Sequence, residues 1–268
     1  MTSHRQLEIS WAAAESMLCV GLDPDPSRMP SPIAGEPNAT ELFCKAIIDA
    51  TADLVCAFKP QIAYFASQGA EPALENICHY IRETYPDVTL ILDAKRGDIG
   101  STAEHYAQEA FVRYGAHAVT VNPYLGTDSV EPFFEHDGGV IALCRTSNPG
   151  GDDFQSLIAD GKPVYVHVAE RVANEWSKLG DCGLVVGATY PTELAEVRAI
   201  APDLPLLVPG VGTQGGDAAT VVEHGADAAH SGLVVNSSRA VLYASSGPDF
   251  AEAARAEAER TRSSLRTP

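Results

Sequence analysis

Apolar residues recur along this chain in short, β-branched runs, each closed by small or polar residues. The runs are 17–24 (MLCVGLDP), 54–61 (LVCAFKPQ), 88–96 (VTLILDAKR), 118–124 (AVTVNPY), 139–146 (GVIALCRT), 183–189 (GLVVGAT), 204–212 (LPLLVPGVG) and 231–239 (SGLVVNSSR). Near-continuous apolar strands are those covered on both faces, as in a parallel sheet under helices. Between them the apolar spacing turns helical. Over 39–53, Leu42, Phe43, Ala46 and Ile47 share one face behind Asn38 or Thr40 as a cap. Segments 70–84, 101–114, 162–178, 191–200 and 214–224 behave alike, and a last helix rich in Ala, Glu and Arg starts at Pro248 and Asp249. Strands alternating with helices in this number predict an α/β fold, a single (β/α)8 TIM barrel spanning 1–268. An open doubly wound sheet is the alternative, but no GxGxxG follows the first strand. One connection is unusually long: 147–161 (SNPGGDDFQSLIADG) leaves the fifth strand rich in Gly and Asp, and reads as a flexible lid over a ligand.

Composition narrows the function. The 268 residues are 45% hydrophobic, enough for one sizeable core, and carry a formal net charge of −18. That sign excludes a surface built for nucleic acid or an anionic membrane. The six cysteines show no metal-ligand spacing, and several sit in apolar runs, where a thiol behaves as a small hydrophobe. The N-terminus lacks the apolar stretch of a signal peptide, so a cytoplasmic location is expected.

In a TIM barrel the chemistry lies at the C-terminal ends of the strands. The third end is the densest: Asp93 and Lys95 stand two apart on one side of the strand, roughly 6–7 Å along it, with Asp98 beyond. Lys59 closes the second strand. Two ammonium groups and two carboxylates at one mouth tolerate burial only by pairing, and the field they make is useful where substrate charge is created or removed. A solvated strand end is the plainer reading of DAKRGD taken alone. After the seventh strand, VPGVGTQGGD places glycines before a helix, where backbone N–H groups can approach a phosphate, and Arg239 can fork two hydrogen bonds to the same anion. A tight turn and a surface arginine are the plainer reading there. No HxH or HExxH pair and no GxSxG elbow occur; Asp152 and Asp153 read as an exposed acidic loop rather than a Mg2+ site, and His105 and His167 as satisfied structural residues.

The stretch 90–102 (LILDAKRGDIGST) resembles the D-x-K-x-x-D-I-x-x-T signature of the orotidine 5′-phosphate decarboxylase family. VGLDPDP, FKPQIAYF, NPYLG, RTSNPGG, VPGVGTQGGD and VVNSSR extend the resemblance over nearly the whole chain, and RTSNPGG with FKPQIAYF is similar to a second, longer bacterial subfamily. The resemblance implies cofactor-free, metal-free decarboxylation of orotidine 5′-monophosphate to uridine 5′-monophosphate, the last step of de novo pyrimidine nucleotide synthesis. It implies catalytic roles for Lys59, Asp93, Lys95 and Asp98, with Lys95 stabilising and protonating a C6 carbanion. Asp23 and Lys59 would meet the ribose, Ser147 or Asn148 the pyrimidine, and Gly212, Gln214 and Arg239 the phosphate. Asp98 and Thr102 would act across the interface of a homodimer. Two other readings stay open on the residues: a Mg2+-dependent sugar-phosphate enzyme of the same barrel superfamily, and a silent phosphate-ligand binding protein.

Overall fold

The computed structural model describes residues 1–211, 216–229 and 231–266. Eight parallel strands close into a barrel: β1 (Leu18–Leu22), β2 (Ala57–Pro60), β3 (Thr89–Arg96), β4 (Ala118–Val121), β5 (Gly139–Arg145), β8 (Cys182–Val186), β9 (Leu206–Pro209) and β10 (Leu233–Ser237). Each run read as a strand from its apolar pattern supplies one of them. The remaining pair, β6 (Ile158–Ala159) and β7 (Lys162–Pro163), forms a small antiparallel hairpin within the long connection after β5. The shell is α2 (Ala39–Thr51), α3 (Ile62–Ala66), α4 (Glu71–Thr84), α5 (Gly100–Gln108), α6 (Val164–Asn174), α7 (Pro191–Ile200), α8 (Ala218–Gly225), α9 (Arg239–Leu242) and α10 (Phe250–Ser264).

Three differences from the sequence reading are physical. The helix expected over 101–114 starts regularly as α5 but finishes as a π-helical turn, Glu109–Arg113. The helix expected over 214–224 is seen as α8, started by the Asp217 side chain accepting from the Thr220 N–H. An N-terminal helix, α1 (Ser3–Ala14), was not legible, because the face it buries is mostly polar: Ser3, Gln6 and Ser10 beside Leu7 and Ala14. Gln6 and Ser10 are satisfied by groups distant in sequence, the Gln6 amide donating to the Pro86 carbonyl. Ser10 Oγ donates to the Asp87 carbonyl, and the Trp11 indole donates to the Leu233 carbonyl. Leu7 plugs the bottom of the barrel.

The core has two layers, set by the period of two along each strand. Outward residues such as Leu90, Leu92, Val119 and Val208 pack beneath the helices. Inward residues Cys19, Ala57, Ile91, Ala118, Ile141, Val185, Leu207 and Val234, with Leu7, fill the barrel. Continuing the alternation one step up each strand brings Gly21, Lys59, Asp93, Thr120 and Leu143 to the next inward level. Gly21 is needed there: a Cβ would lie 2.0 Å from Ser238 Oγ. All six cysteines are free and buried, and burial pushes the Cys19 thiol up to about 12, far from the reactive thiolate range.

Candidate active site

At the C-terminal mouth lies a cavity of 420 Å³ lined by Lys59, Asp93, Lys95, Thr120, Ser147 and Asn148 over an apolar floor that includes Leu143, Val185 and Leu207. Its charged wall is continuous. Lys59 Nζ donates to Asp93 Oδ2 at 2.9 Å, and Lys95 Nζ donates to Asp93 Oδ1 at 2.5 Å. The strand spacing alone would hold Asp93 and Lys95 apart. They meet because β3 breaks register against β4 between Leu92 and Arg96, with Lys95 at φ 47° in the left-handed region.

Burial opposes both charges of the buried pair, and pairing wins. Desolvation alone would lower Lys59, but the Coulombic pull of Asp93 and Asp23 holds its ammonium above the usual lysine range. Desolvation would raise Asp93, but Lys59 and Lys95 hold its carboxyl well below the usual carboxylate range. The pH consequences follow from these directions. A depressed carboxylate contributes stability above its unfolded value, about 4, and loses it as pH falls; a raised ammonium contributes below its unfolded value, about 10, and loses it as pH rises. The pair therefore supports the fold across about pH 4–10. Lys59 is only 4% exposed, so Asp93→Ala is expected to destabilise by about 3–5 kcal/mol in urea unfolding at pH 7, by leaving a buried ammonium unpaired. The double variant Lys59→Met/Asp93→Leu should recover most of that loss. A single-variant loss under about 1 kcal/mol would show that Lys59 relaxes to water.

The connection after β5 is folded over the cavity's edge rather than hanging free. Pro149–Asp153 form a 3-10 turn, followed by the β6–β7 hairpin. Arg145, 2% exposed at the end of β5, anchors the segment: it donates to Asp152 Oδ1 at 2.6 Å and stacks on Tyr190, 3.7 Å from the ring centroid. Gln155 also lines the cavity; its Oε1 accepts from the Thr146 N–H and its Nε2 donates to Thr146 Oγ1. Thr146 in turn donates to Asn148 Oδ1 at 2.6 Å, which fixes the Asn148 amide beside Ser147. A Cβ on Gly187 would lie 2.8 Å from Ser147, so that glycine makes room for the serine. The sequence reading picked Ser147 and Asn148 and missed Thr120 and Gln155. Thr120 carried a usable signal, a polar residue at an inward position of an apolar strand; Gln155 carried none.

Other expected site residues lie around the mouth. Asp23, just past β1, has a buried Oδ1 without a hydrogen-bond partner among the described residues. Arg239 is exposed at the start of α9. Asp98 and Thr102 do not line the cavity; Asp98 is half-buried before α5, its carboxylate accepting from the Ile99 N–H, and Thr102 is exposed on α5. Gly212 and Gln214 lie outside the described residues. Among the described residues no group of three or more His, Cys, Asp or Glu side chains is arranged to hold a metal ion, and no helix is long and apolar enough to cross a membrane. His167 Nε2 bonds the Ala159 carbonyl at 2.7 Å, pinning α6 to the hairpin.

Fold and cavity together define a (β/α)8 barrel with alternating charges fixed at its C-terminal mouth. The profile of the family described as "Orotidine 5'-phosphate decarboxylase / HUMPS family" matches residues 16–256, and the chain belongs to that family. It is 58% identical over 266 residues to the orotidine 5′-phosphate decarboxylase of Janthinobacterium sp. (strain Marseille), covering 99% of this chain and 98% of the relative. It is 60% identical over 261 residues to the Ralstonia pickettii (strain 12J) protein of the same name, covering 97% and 96%. The solved Leishmania donovani OMP decarboxylase superposes with a TM-score of 0.85 at 37% identity, over 100% of each chain. The chain is thus an enzyme of the carboxy-lyase class.

Proposed function

We propose that this enzyme decarboxylates orotidine 5′-monophosphate to uridine 5′-monophosphate without a cofactor, through a C6 carbanion stabilised and then protonated by Lys95. The observation that carries this reading is the Lys59–Asp93–Lys95 chain of ion pairs, fixed at the wall of a cavity that also presents Ser147 and Asn148. Loss of CO2 leaves an electron pair in the plane of the pyrimidine ring, where the π system cannot take it up. A preorganised ammonium compensates that charge at no reorganisation cost. Lys95 suits this, its side chain being 46% exposed toward the mouth while Lys59 is held in the wall. Proton delivery from Lys95 to C6 completes the product.

Asp93 has a second effect. A substrate carboxylate about 4 Å from it would be repelled by about 4 kcal/mol at an effective dielectric near 20, strain relieved when CO2 departs. The contribution ranks below carbanion stabilisation, because Asp93 is already neutralised by two lysines. The buried unpartnered oxygen of Asp23 suits a ribose hydroxyl donor. Arg239 supplies a forked donor for the phosphate, a role that the family resemblance also gives to Gly212 and Gln214. Asp98 and Thr102 point to an active homodimer: they belong to the family signature yet stand outside this chain's own cavity, where a second copy can receive them.

The test is ultraviolet absorbance of purified protein mixed with orotidine 5′-monophosphate, with chelator throughout. Conversion to the uridine 5′-monophosphate spectrum is expected. No change with folded, dimeric protein would overturn the reading and favour a Mg2+-dependent sugar-phosphate reaction at the same mouth.

A further inference from the structure

The break in β3 that brings Lys95 onto Asp93 has to be held open by something. From Leu92 to Arg96 the strand takes four steps while β4 takes two, from Val119 to Val121, so Asp93, Ala94 and Lys95 all face the single residue Thr120. Bulged amides lose their ladder partners and need others. Here both go to one side chain: the Ala94 and Lys95 N–H groups each donate to Thr120 Oγ1 at 3.0 Å. A hydroxyl has one proton, and with Oγ1 accepting twice from the bulge that proton goes to Asp93 Oδ1, 2.9 Å away. Oδ1 is also the atom that receives Lys95 Nζ. Lys95 is therefore tied at both ends, through its own amide and its own ammonium, to a ring that closes through the Thr120 hydroxyl. Thr120 is 1% exposed, on the inward face of β4.

We propose that Thr120 is a positioning residue of the reaction, whose hydroxyl, rather than its bulk, orients the Asp93 carboxylate and holds Lys95 in the left-handed backbone conformation that aims its ammonium at the reacting carbon. The kinetic part of the inference rests on the decarboxylase reading; the structural part does not. Lys95 at φ 47° occupies a conformation that favours glycine. Removing the acceptor of two consecutive amides lets the bulge relax, and the ammonium moves with it. Ground-state contacts to ribose and phosphate come from other elements, so the loss falls on kcat more than on KM.

The pair Thr120→Val and Thr120→Ser separates hydroxyl from volume. Thr120→Val, nearly isosteric, is expected to lower kcat by about 10–100-fold, the loss of a hydrogen bond to a charged group, with KM changed less than about threefold. Thr120→Ser restores the hydroxyl and is expected within about threefold of the wild-type kcat. Equal impairment of both variants, or a Thr120→Val effect confined to KM, would overturn the proposal. A crystal structure of Thr120→Val gives a readout independent of turnover: Lys95 is expected to leave positive φ or its Nζ to part from Asp93, and an unchanged bulge would overturn the proposal. If the wild type itself leaves orotidine 5′-monophosphate untouched, the reaction reading fails, while the crystal structure still decides whether the hydroxyl holds Lys95. Should Thr120→Val not fold, the serine variant and its structure carry the test: retained kcat and bulge support the hydroxyl, and their loss overturns it.

Discussion

Lys95→Ala is expected to lose about 10⁴-fold or more in kcat while still binding uridine 5′-monophosphate within about tenfold of the wild type. On the proposed mechanism two effects vanish together: a preorganised charge at the carbanion, and the proton source for C6. Each is worth about 10²–10³-fold or more where measured singly in enzymes. The fold should survive. The Lys95 side chain is 46% exposed, so its removal opens no void and leaves Asp93 still paired with Lys59. Kinetics and calorimetric binding read the two halves of the prediction. Substantial residual turnover would remove Lys95 as the proton donor. The same variant tests whether the site is shared between two subunits. Mixed in equal amounts with Asp98→Ala and re-associated, it should regain about one quarter of wild-type activity, because about half the dimers are then mixed and each holds one intact site of two. No recovery would place Asp98 in the site of its own subunit.

The fold was legible because its signal is periodic. Strands buried on both faces are apolar throughout, and the alternation with helices leaves few topologies. The failures are also physical. α1 escaped because its buried face is made of Ser3, Gln6 and Ser10, whose place in the core depends on partners distant in sequence, such as the Asp87 carbonyl. The site was half legible for the same reason. Lys59 and Asp93 are inward by period from Ala57 and Ile91, so their meeting follows from adjacent strands. The closeness of Lys95 does not follow, because it depends on a register break that no local pattern announces. Arg145 shows the opposite case. By position it is another charged residue at a strand's C-terminal end, yet it is buried on Asp152 and Tyr190 and anchors the long connection. A charged strand end thus serves either substrate or loop, and only the tertiary contacts separate the two.

Arg239→Ala is expected to lower kcat/KM by about 10²–10⁴-fold with folding stability unchanged within about 0.5 kcal/mol. On the proposed role the first magnitude is two charge-assisted hydrogen bonds from one guanidinium to phosphate, each worth about 1.5–3 kcal/mol. The second follows from position: Arg239 is exposed at the start of a four-residue helix and makes no ion pair among the described residues. The loss should not appear wholly in KM. In the proposed reaction the phosphate is remote from C6, so its binding energy would be available to draw the 147–161 segment, held by Arg145 and Gln155, over the cavity and to keep water from the charged wall. Binding used in that way is expressed in kcat as well as in affinity. Steady-state kinetics across substrate concentration, beside thermal unfolding of the same preparation, separate the outcomes. Loss of folding without a separable kinetic effect would make Arg239 structural, and a change in KM alone would mean that phosphate binding serves affinity and does no more.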